Sequence, residues 1–140
     1  MTIAPNEERV ADAMLTSPTV HTPSTTAAEL RAFFEDDHKH MALLVDGRKL
    51  VGTVERADLT PSVSGDVPAA AIAKLEGRTV DPDAVLLETF DAMARDARRR
   101  LAVTSHDSTL LGLLCLKASG LGFCSDAGVA ERSVSAAGRS

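Results

Sequence analysis

Hydrophobic and polar positions follow one pattern along this chain, and the pattern occurs twice. Position n matches position n + 60 over residues 11 to 59 without a gap, so that Met41 and Leu43 meet Leu101 and Val103. The matched apolar positions fall where a buried core is expected. A half-length unit with so small an apolar face is too small to fold alone. The pattern therefore predicts two copies of one unit that pack on each other.

The first copy predicts a short helix, a brief strand, a longer helix and a hairpin. The expected elements are a lead helix over 7–15, a strand over 19–21, a helix from 27 to about 37, and strands over 41–45 and 50–54. Thr26 and Glu29 have the spacing of a capping box, which starts the longer helix. Asp46 and Gly47 form a turn signal between two apolar runs, so the last two strands are expected to pair as a hairpin.

The second copy repeats this order. Its expected elements are a lead helix over 68–75, a strand over 79–80, a helix that begins at Asp81-Pro82-Asp83, and strands over 101–104 and 109–116. Ser125 and Asp126 are expected to cap a last short helix before a polar tail. The predicted boundaries are a first repeat over 7–60, a linker over 61–68, a second repeat over 69–121, and a C-terminal short helix and tail over 122–140.

Composition and charge narrow the class of protein. The chain has 140 residues, 44% of them hydrophobic, and a mean hydropathy of +0.01, which suits a globular core. No apolar run reaches the roughly 18–20 residues of a membrane span, and the first residues lack the order of a signal peptide. We therefore expect no membrane association and a cytoplasmic location. A net charge of −5 and the absence of Trp and Tyr argue against nucleic-acid binding.

Three segments carry a resemblance to a known family. They are Val10-Ala11-Asp12-Ala13-Met14, Thr19-Val20, and Leu50-Val51-Gly52-Thr53-Val54-Glu55-Arg56-Ala57-Asp58-Leu59. In this order they resemble the cystathionine-β-synthase-type (CBS) domain pair, or Bateman module, over nearly the whole chain. The resemblance implies an α+β (α/β-like) fold in which two β-α-β-β-α repeats pack through their sheets. It also implies a cleft between the repeats that binds an adenosyl ligand, a homodimer, and regulation of a protein target that the sequence does not identify.

The family's ligand motif is a Gly in the last strand, a Thr or Ser three residues on, and an Asp three residues beyond that. The first copy places Gly52, Glu55 and Asp58 at these positions. By this resemblance Asp58 accepts hydrogen bonds from ribose hydroxyls, Gly52 lets the backbone approach the ligand, and Val20 lines the adenine pocket. The second copy lacks both the hydroxyl and the acid.

Glu55 is the main departure from the motif. A carboxylate there faces a phosphate with like charge unless a cation intervenes, at a cost on the order of 4 kcal/mol for a separation of about 4 Å. That cost is half of the roughly 8 kcal/mol that a micromolar site is worth. AMP, ADP and ATP are therefore disfavoured in the usual pose if Glu55 faces the cleft. A cationic adenosyl ligand such as S-adenosylmethionine stays open as an alternative.

The family also places a basic pair before its second strand, where the pair reaches phosphates. The matching residues are Lys39 and His40 in the first copy and Arg99 and Arg100 in the second. Arg100 is the better candidate of the second pair, because a guanidinium binds phosphate oxygens as a planar fork. The alternative is that the arginines form a solvated helix end whose cations suit the helix dipole.

Catalysis and metal binding find little support in the sequence. No Ser, Cys and His stand in a recognisable catalytic motif, so we expect no enzyme, no catalytic residue and no required cofactor. The His and acidic residues of 35–40 fan around a helix and do not converge on one ion, so we expect no metal site. Cys115 lies in an apolar run and is expected to be a buried thiol. The competing hypothesis to a sensor is a degenerate pair without ligand that serves as a dimerisation or protein-interaction scaffold.

Overall fold

The two halves of the chain fold with the same order of elements. The structure is a computed structural model, and it describes residues 8–16, 18–37, 39–116 and 123. The helices and strands are β1 (Val20–His21), α1 (Ala27–Phe33), β2 (Met41–Asp46), β3 (Lys49–Glu55), β4 (Thr79–Val80), α2 (Leu86–Arg95), β5 (Arg100–Thr104) and β6 (Leu110–Cys115). Short 3-10 turns occupy Val10–Asp12, Arg56–Asp58 and Ala69–Ala71. This order confirms the predicted α+β fold of two repeats.

Each half contributes a three-stranded sheet, with strand orders β1-β2-β3 and β4-β5-β6. In the first sheet β1 runs parallel to β2, with Val20 opposite Leu43, and β2 runs antiparallel to β3, with Met41 opposite Glu55. The connection between β2 and β3 turns at Gly47, whose φ of 64° suits a residue without Cβ. The predicted hairpin is confirmed. Its pairing brings the start of β2 and the end of β3 to the same edge of the sheet.

Helix α1 begins as predicted and ends earlier. Thr26 and Glu29 form the capping box, in which each side chain accepts a hydrogen bond from the other's N–H group at 3.2 Å. Beyond α1 the guanidinium of Arg56 donates to the carbonyls of Phe34 and Lys39 at 2.7 and 3.0 Å. These carbonyls are satisfied by a side chain instead of by a further helical turn, which accounts for the missing turns up to residue 37.

The predicted lead helices over 7–15 and 68–75 are wrong, because only a 3-10 turn forms in each segment. The following residues pair with strands instead. Leu15 exchanges two backbone hydrogen bonds with Leu113 at 2.8 and 3.0 Å, and Lys74 exchanges two with Thr53 at 2.9 Å each. Backbone groups that a longer helix would use internally are thus taken by β6 and β3.

Helix α2 begins at Leu86, and the prediction of a start at Asp81-Pro82-Asp83 is wrong. The residues before Leu86 bond to the N-terminal segment: the N–H of Val10 donates to the carbonyl of Ala84 at 3.0 Å, and the N–H of Leu86 donates to the carbonyl of Glu8 at 2.7 Å. Val85 is extended and forms an antiparallel bridge with Arg9, so the helix starts only after it.

The chain divides into two compact units that do not coincide with the two repeats. Among the described residues, the first-sheet unit holds those of Thr19–Thr79 and Thr104–Leu110, and the second-sheet unit holds those up to Pro18, those of Val80–Val103 and those from Leu111 onward. Each unit therefore takes its lead segment from the other repeat. Ala69 packs in the core of the first-sheet unit, and Val10 packs in the core of the second-sheet unit. The repeat boundaries stay a prediction from the sequence.

Two further predictions concern the C-terminal part of the chain. Cys115 is buried, with 1% of its surface exposed, but it is disulfide-bonded, so the prediction of a free thiol is wrong. The bond was missed because two cysteines without a metal spacing carry no sequence signal for pairing. The predicted short helix that begins at Ser125 lies outside the described residues.

Candidate ligand-binding site

One edge of the first sheet gathers four of the eight residues that the sequence predicted for a ligand. Lys39 and His40 directly precede β2, Glu55 ends β3, and Asp58 closes the 3-10 turn that follows β3. Because Met41 pairs with Glu55, the start of β2 and the end of β3 are neighbours, and these four residues share one edge of the sheet. Val20 lies on β1 alongside β2 and is 49% exposed.

Asp58, the predicted ribose clamp, already has partners within the protein. The guanidinium of Arg78 binds both of its carboxylate oxygens, with Nη1 at 2.5 Å from Oδ2 and Nη2 at 3.0 Å from Oδ1. The N–H of Glu55 donates to Oδ2 at 2.8 Å, and Nζ of Lys74 lies 3.4 Å from Oδ1. The side chains of Asp58 and Arg78 are 7% and 9% exposed, so their ion pair is largely removed from water.

These contacts use most of the accepting capacity of Asp58. A carboxylate offers about four lone-pair positions; hydrogen bonds from Arg78 take two and one from Glu55 takes a third, and Lys74 adds an ion pair at Oδ1. Burial alone raises the pKa of Asp58, but the hydrogen bonds from Arg78 and Glu55 and the charges of Arg78 and Lys74 outweigh it and lower the pKa. Asp58 is therefore ionised at neutral pH, and a ribose diol that binds through both hydroxyls must displace at least one of these hydrogen-bond donors.

Glu55 does not stand as an isolated negative charge. Its Oε1 lies 3.4 Å from Nη2 of Arg78, so a cation intervenes where the sequence predicted repulsion of phosphate. The cluster of Glu55, Asp58, Lys74 and Arg78 contains two carboxylates and two cations, and its formal charge is zero. The electrostatic penalty expected for a nucleotide is therefore largely offset, and the reason to prefer a cationic ligand is weaker.

Gly52 allows a close approach, but its neighbour is part of the protein itself. A Cβ at this position would lie 2.5 Å from the Cβ of Ala73, on the lead segment of the second repeat. In the second-sheet unit Gly112 faces the same constraint, since a Cβ there would collide with the carbonyl oxygen of Leu15. Both glycines of the motif thus permit a lead segment to pack flat against a strand.

His21 and Phe33 form an aromatic contact beside the candidate site. Their rings meet edge to face with centroids 4.5 Å apart, and Nζ of Lys39 lies 5.8 Å from the centroid of Phe33. Within the described residues, the buried Nε2 of His21 has no hydrogen-bond partner. Burial lowers the pKa of His21, the charge of Glu29 opposes this shift, and the charge of Lys39 adds to it. Lys39 thus lies over an aromatic ring at the same edge as Glu55.

Arg99 and Arg100 belong to the second-sheet unit. Arg100 lies in β5 and is 6% exposed, and its Nη1 donates to the carbonyls of Arg99 and Leu116 at 3.0 and 3.4 Å. The alternative of a solvated helix end is therefore wrong for Arg100. Nε of Arg99 is buried, and no partner for it occurs in the described part of the chain.

Sequence reasoning missed Arg78 and Lys74, the two cations that bind Asp58. Both precede β4 in the second repeat, twenty and sixteen positions after Asp58 in the sequence. The family motif ends at Asp58, and single basic residues at this distance carry no signal. Their placement follows from the pairing of Lys74 with Thr53, which aligns this segment along β3.

Two other kinds of site do not occur among the described residues. In the described ranges, no group of three or more His, Cys, Asp or Glu residues is placed to share a metal ion. No helix among the described residues is long and apolar enough to cross a membrane.

Comparisons with known proteins connect this geometry to solved structures. Neither protein-family profiles nor curated protein sequences give a match to the chain. A Vibrio cholerae protein provisionally assigned to acetoin utilization superposes with a TM-score of 0.67 at 21% identity, covering 95% of this chain and 97% of that chain. The CBS pair domain of a provisional Mg²⁺ transporter from Shewanella oneidensis gives a TM-score of 0.69 at 22% identity, covering 91% of this chain and 72% of that chain.

A third structure is a CBS domain protein from Pyrobaculum aerophilum complexed with AMP. Its TM-score is 0.66 at 20% identity, with 91% of this chain and 99% of that chain covered. Together with the two three-stranded sheets, these likenesses show that the chain has the fold of a CBS-domain pair. The fold that the resemblance implied is confirmed.

Proposed function

We propose that this chain is a CBS-pair regulatory module that binds an adenine nucleotide at the edge of the first sheet formed by the start of β2 and the end of β3. The observation that carries the proposal is the convergence of Lys39, His40, Glu55 and Asp58 on that edge. Val20 beside them presents apolar surface suited to a purine. The AMP complex of a protein with the same fold supports the ligand class.

The electrostatics of the edge favour AMP, ADP or ATP over S-adenosylmethionine. Arg78 neutralises Glu55, and Lys39 adds a positive charge before β2. Ammonium and imidazole groups next to phosphate oxygens form charge-assisted hydrogen bonds, which are the stronger kind. Lys39 and His40 therefore serve as the phosphate contacts, and Asp58 serves as the ribose contact. The module needs no cofactor for this role and performs no catalysis.

The signal passes to other proteins through a homodimer. In this proposal the occupied site changes dimer geometry or affinity for a protein target, as expected for a cytoplasmic regulatory module. A change in sedimentation coefficient on nucleotide addition would support this part of the proposal, and an unchanged monomer with and without nucleotide would contradict it.

Thermal unfolding in the presence of candidate ligands tests the binding function. A ligand that prefers the folded state raises the midpoint, so AMP, ADP, ATP, S-adenosylmethionine and NAD are compared at about 1 mM. We expect a rise with at least one adenine nucleotide and a smaller rise in Lys39→Met, with Lys49→Met as the matched control away from the site. No rise with any of the five compounds would contradict the proposal.

The scaffold hypothesis remains the second candidate, and one observation favours it. Three hydrogen bonds and an ion pair with Lys74 hold Asp58 within the protein, as in a pair whose ligand site has become structural. A scaffold predicts that Asp58→Asn changes stability without changing any ligand response. A sensor predicts that the same variant loses the nucleotide-dependent rise in the unfolding midpoint.

A further inference from the structure

We infer that Arg78 competes with the nucleotide for the carboxylate of Asp58. While Arg78 binds this carboxylate, the carboxylate is not available to the ribose. This inference rests on the proposed function and adds a regulation of that same site. It follows from the hydrogen bonds that the guanidinium of Arg78 donates and those that the carboxylate of Asp58 accepts.

The guanidinium is almost fully used by the first-sheet unit. Nη1 donates to Asp58 and to the carbonyl of Thr53 at 3.3 Å, and Nη2 contacts Asp58 and Glu55. Of the five N–H donors of a guanidinium, three form the hydrogen bonds to Thr53 and Asp58, and Nη2 also forms the ion pair with Glu55. Arg78 therefore has little capacity left for a phosphate while it holds Asp58.

The ribose hydroxyls and the guanidinium compete for the same oxygens. A ribose diol that binds both oxygens of Asp58 must replace at least the bond from Nη1 of Arg78 to Oδ2, since the N–H of Glu55, the other donor to Oδ2, is fixed by the backbone turn. Lys74 is easier to displace, because its side chain is 63% exposed and its Nζ lies 3.4 Å from Oδ1. Displacement of Lys74 alone leaves three hydrogen bonds on the carboxylate, so one acceptor position is open, which is enough for one hydroxyl and not for two.

The competitor comes from a segment that the fold holds in place. Arg78 lies four residues after Lys74, whose backbone pairs with Thr53 and whose carbonyl also accepts a hydrogen bond from Oγ1 of Thr53 at 2.6 Å. A fixed backbone keeps the guanidinium close to Asp58, which makes its effective concentration high. The observed affinity for nucleotide is then the intrinsic affinity multiplied by the fraction of molecules in which Arg78 has left.

The direction in which nucleotide affinity changes when Arg78 is replaced distinguishes competition from simple electrostatic attraction. Removal of a cation near a phosphate-binding site weakens the binding of an anionic ligand by Coulomb attraction. Removal of a competitor strengthens it. Arg78→Gln, which keeps a polar side chain and loses the charge and the fork, therefore gives opposite results under the two explanations.

The experiment is calorimetric titration of the full chain with AMP for the wild type and for Arg78→Gln, Arg78→Lys and Asp58→Asn. We expect Arg78→Gln to bind AMP at least about tenfold more tightly than the wild type, Arg78→Lys to lie between them, and Asp58→Asn to lose binding. Arg48→Gln is the matched control, since Arg48 is exposed in the turn after β2, and its variant should bind AMP as the wild type does.

Each outcome decides a separate claim. A folded Arg78→Gln, or a folded Arg78→Lys if the first variant does not fold, that binds AMP no more tightly than the wild type overturns the competitor while the binding function stands. Far-UV circular dichroism establishes folding in each case. No binding by the wild type or by any folded variant overturns the proposed function and the competitor together.

Discussion

Gly52→Ala tests whether the glycine at this position is required for the packing of Ala73 against β3. The added Cβ would lie 2.5 Å from the Cβ of Ala73, whereas carbon atoms in contact rest at about 3.5–4.0 Å. The two chain segments must therefore move apart by about 1 Å or more. The same movement strains the Thr53–Lys74 pairing, in which two backbone bonds of 2.9 Å and one side-chain bond of 2.6 Å join the segments.

The magnitude follows from three contributions. Overpacking of this kind costs about 1–3 kcal/mol. Replacement of Gly by Ala in a strand lowers the conformational entropy of the unfolded chain and so stabilises the fold by about 0.5–1 kcal/mol. The net destabilisation by Gly52→Ala should therefore be roughly 0–2.5 kcal/mol. Ala73→Gly alone should cost about 0.5–1 kcal/mol for the opposite reason.

The double variant gives the coupling energy between positions 52 and 73, which decides whether the two residues pack against each other. Gly52→Ala with Ala73→Gly removes the clash, because the remaining neighbours of the added Cβ are the Cα and C atoms of Ala73 at 3.6 Å, an ordinary contact. Its two entropy contributions cancel, so its stability should be close to that of the wild type. The coupling energy between the two sites then equals the clash itself, about 1–3 kcal/mol.

The assay is urea unfolding followed by far-UV circular dichroism for the wild type, both single variants and the double variant. Gly47→Ala with Ala73→Gly is the control pair, since nothing lies within 4 Å of a Cβ built at Gly47. The control pair should be additive within about 0.5 kcal/mol. If Gly52→Ala with Ala73→Gly is also additive, the packing explanation of Gly52 is refuted.

Two further predictions concern stability. Burial lowers the pKa of His21, against opposition from Glu29 and with support from Lys39, so the neutral ring is the stable form in the folded protein. Stability should therefore fall as the pH drops below the ordinary His value of about 6.5, and unfolding midpoints measured from pH 8 to about pH 5 should fall less in His21→Leu than in the wild type. Arg56→Met should destabilise the protein by about 1–3 kcal/mol, because it removes the donor to the carbonyls after α1 and keeps an apolar stem against Phe34. Urea unfolding measures this loss of stability. The exposed control Arg48→Met should change stability by no more than about 0.5 kcal/mol. A change as small as this in Arg56→Met would contradict the capping role of Arg56.

The sequence predicted the features that depend on local pattern. The repeat at a shift of sixty residues, the capping box at Thr26 and the turn at Gly47 all follow from residue spacing, and the structure contains each of them. The gathering of Lys39 and Glu55 at one edge also follows, because a hairpin brings the start of one strand to the end of the next. These features need no knowledge of distant contacts.

The features that were missed depend on pairing between distant segments. The lead segments are predicted as helices because their apolar residues have helical spacing, but in the structure their backbone groups bond to β3 and β6. The partners of Asp58 come from a segment that the fold aligns with β3, and neither Lys74 nor Arg78 belongs to a motif. The burial of Arg100 likewise depends on β5, which places its guanidinium against backbone carbonyls.

A nuclear magnetic resonance titration shows whether an adenine nucleotide binds at the edge of the first sheet. Backbone amide shifts of the uniformly labelled full chain are followed as AMP is added to about 1 mM. We expect saturable changes concentrated at one set of residues, namely Val20, Lys39, His40, Glu55, Asp58 and Arg78. A spectrum that does not change, or changes confined to the second-sheet unit around Arg100, would contradict binding at this edge.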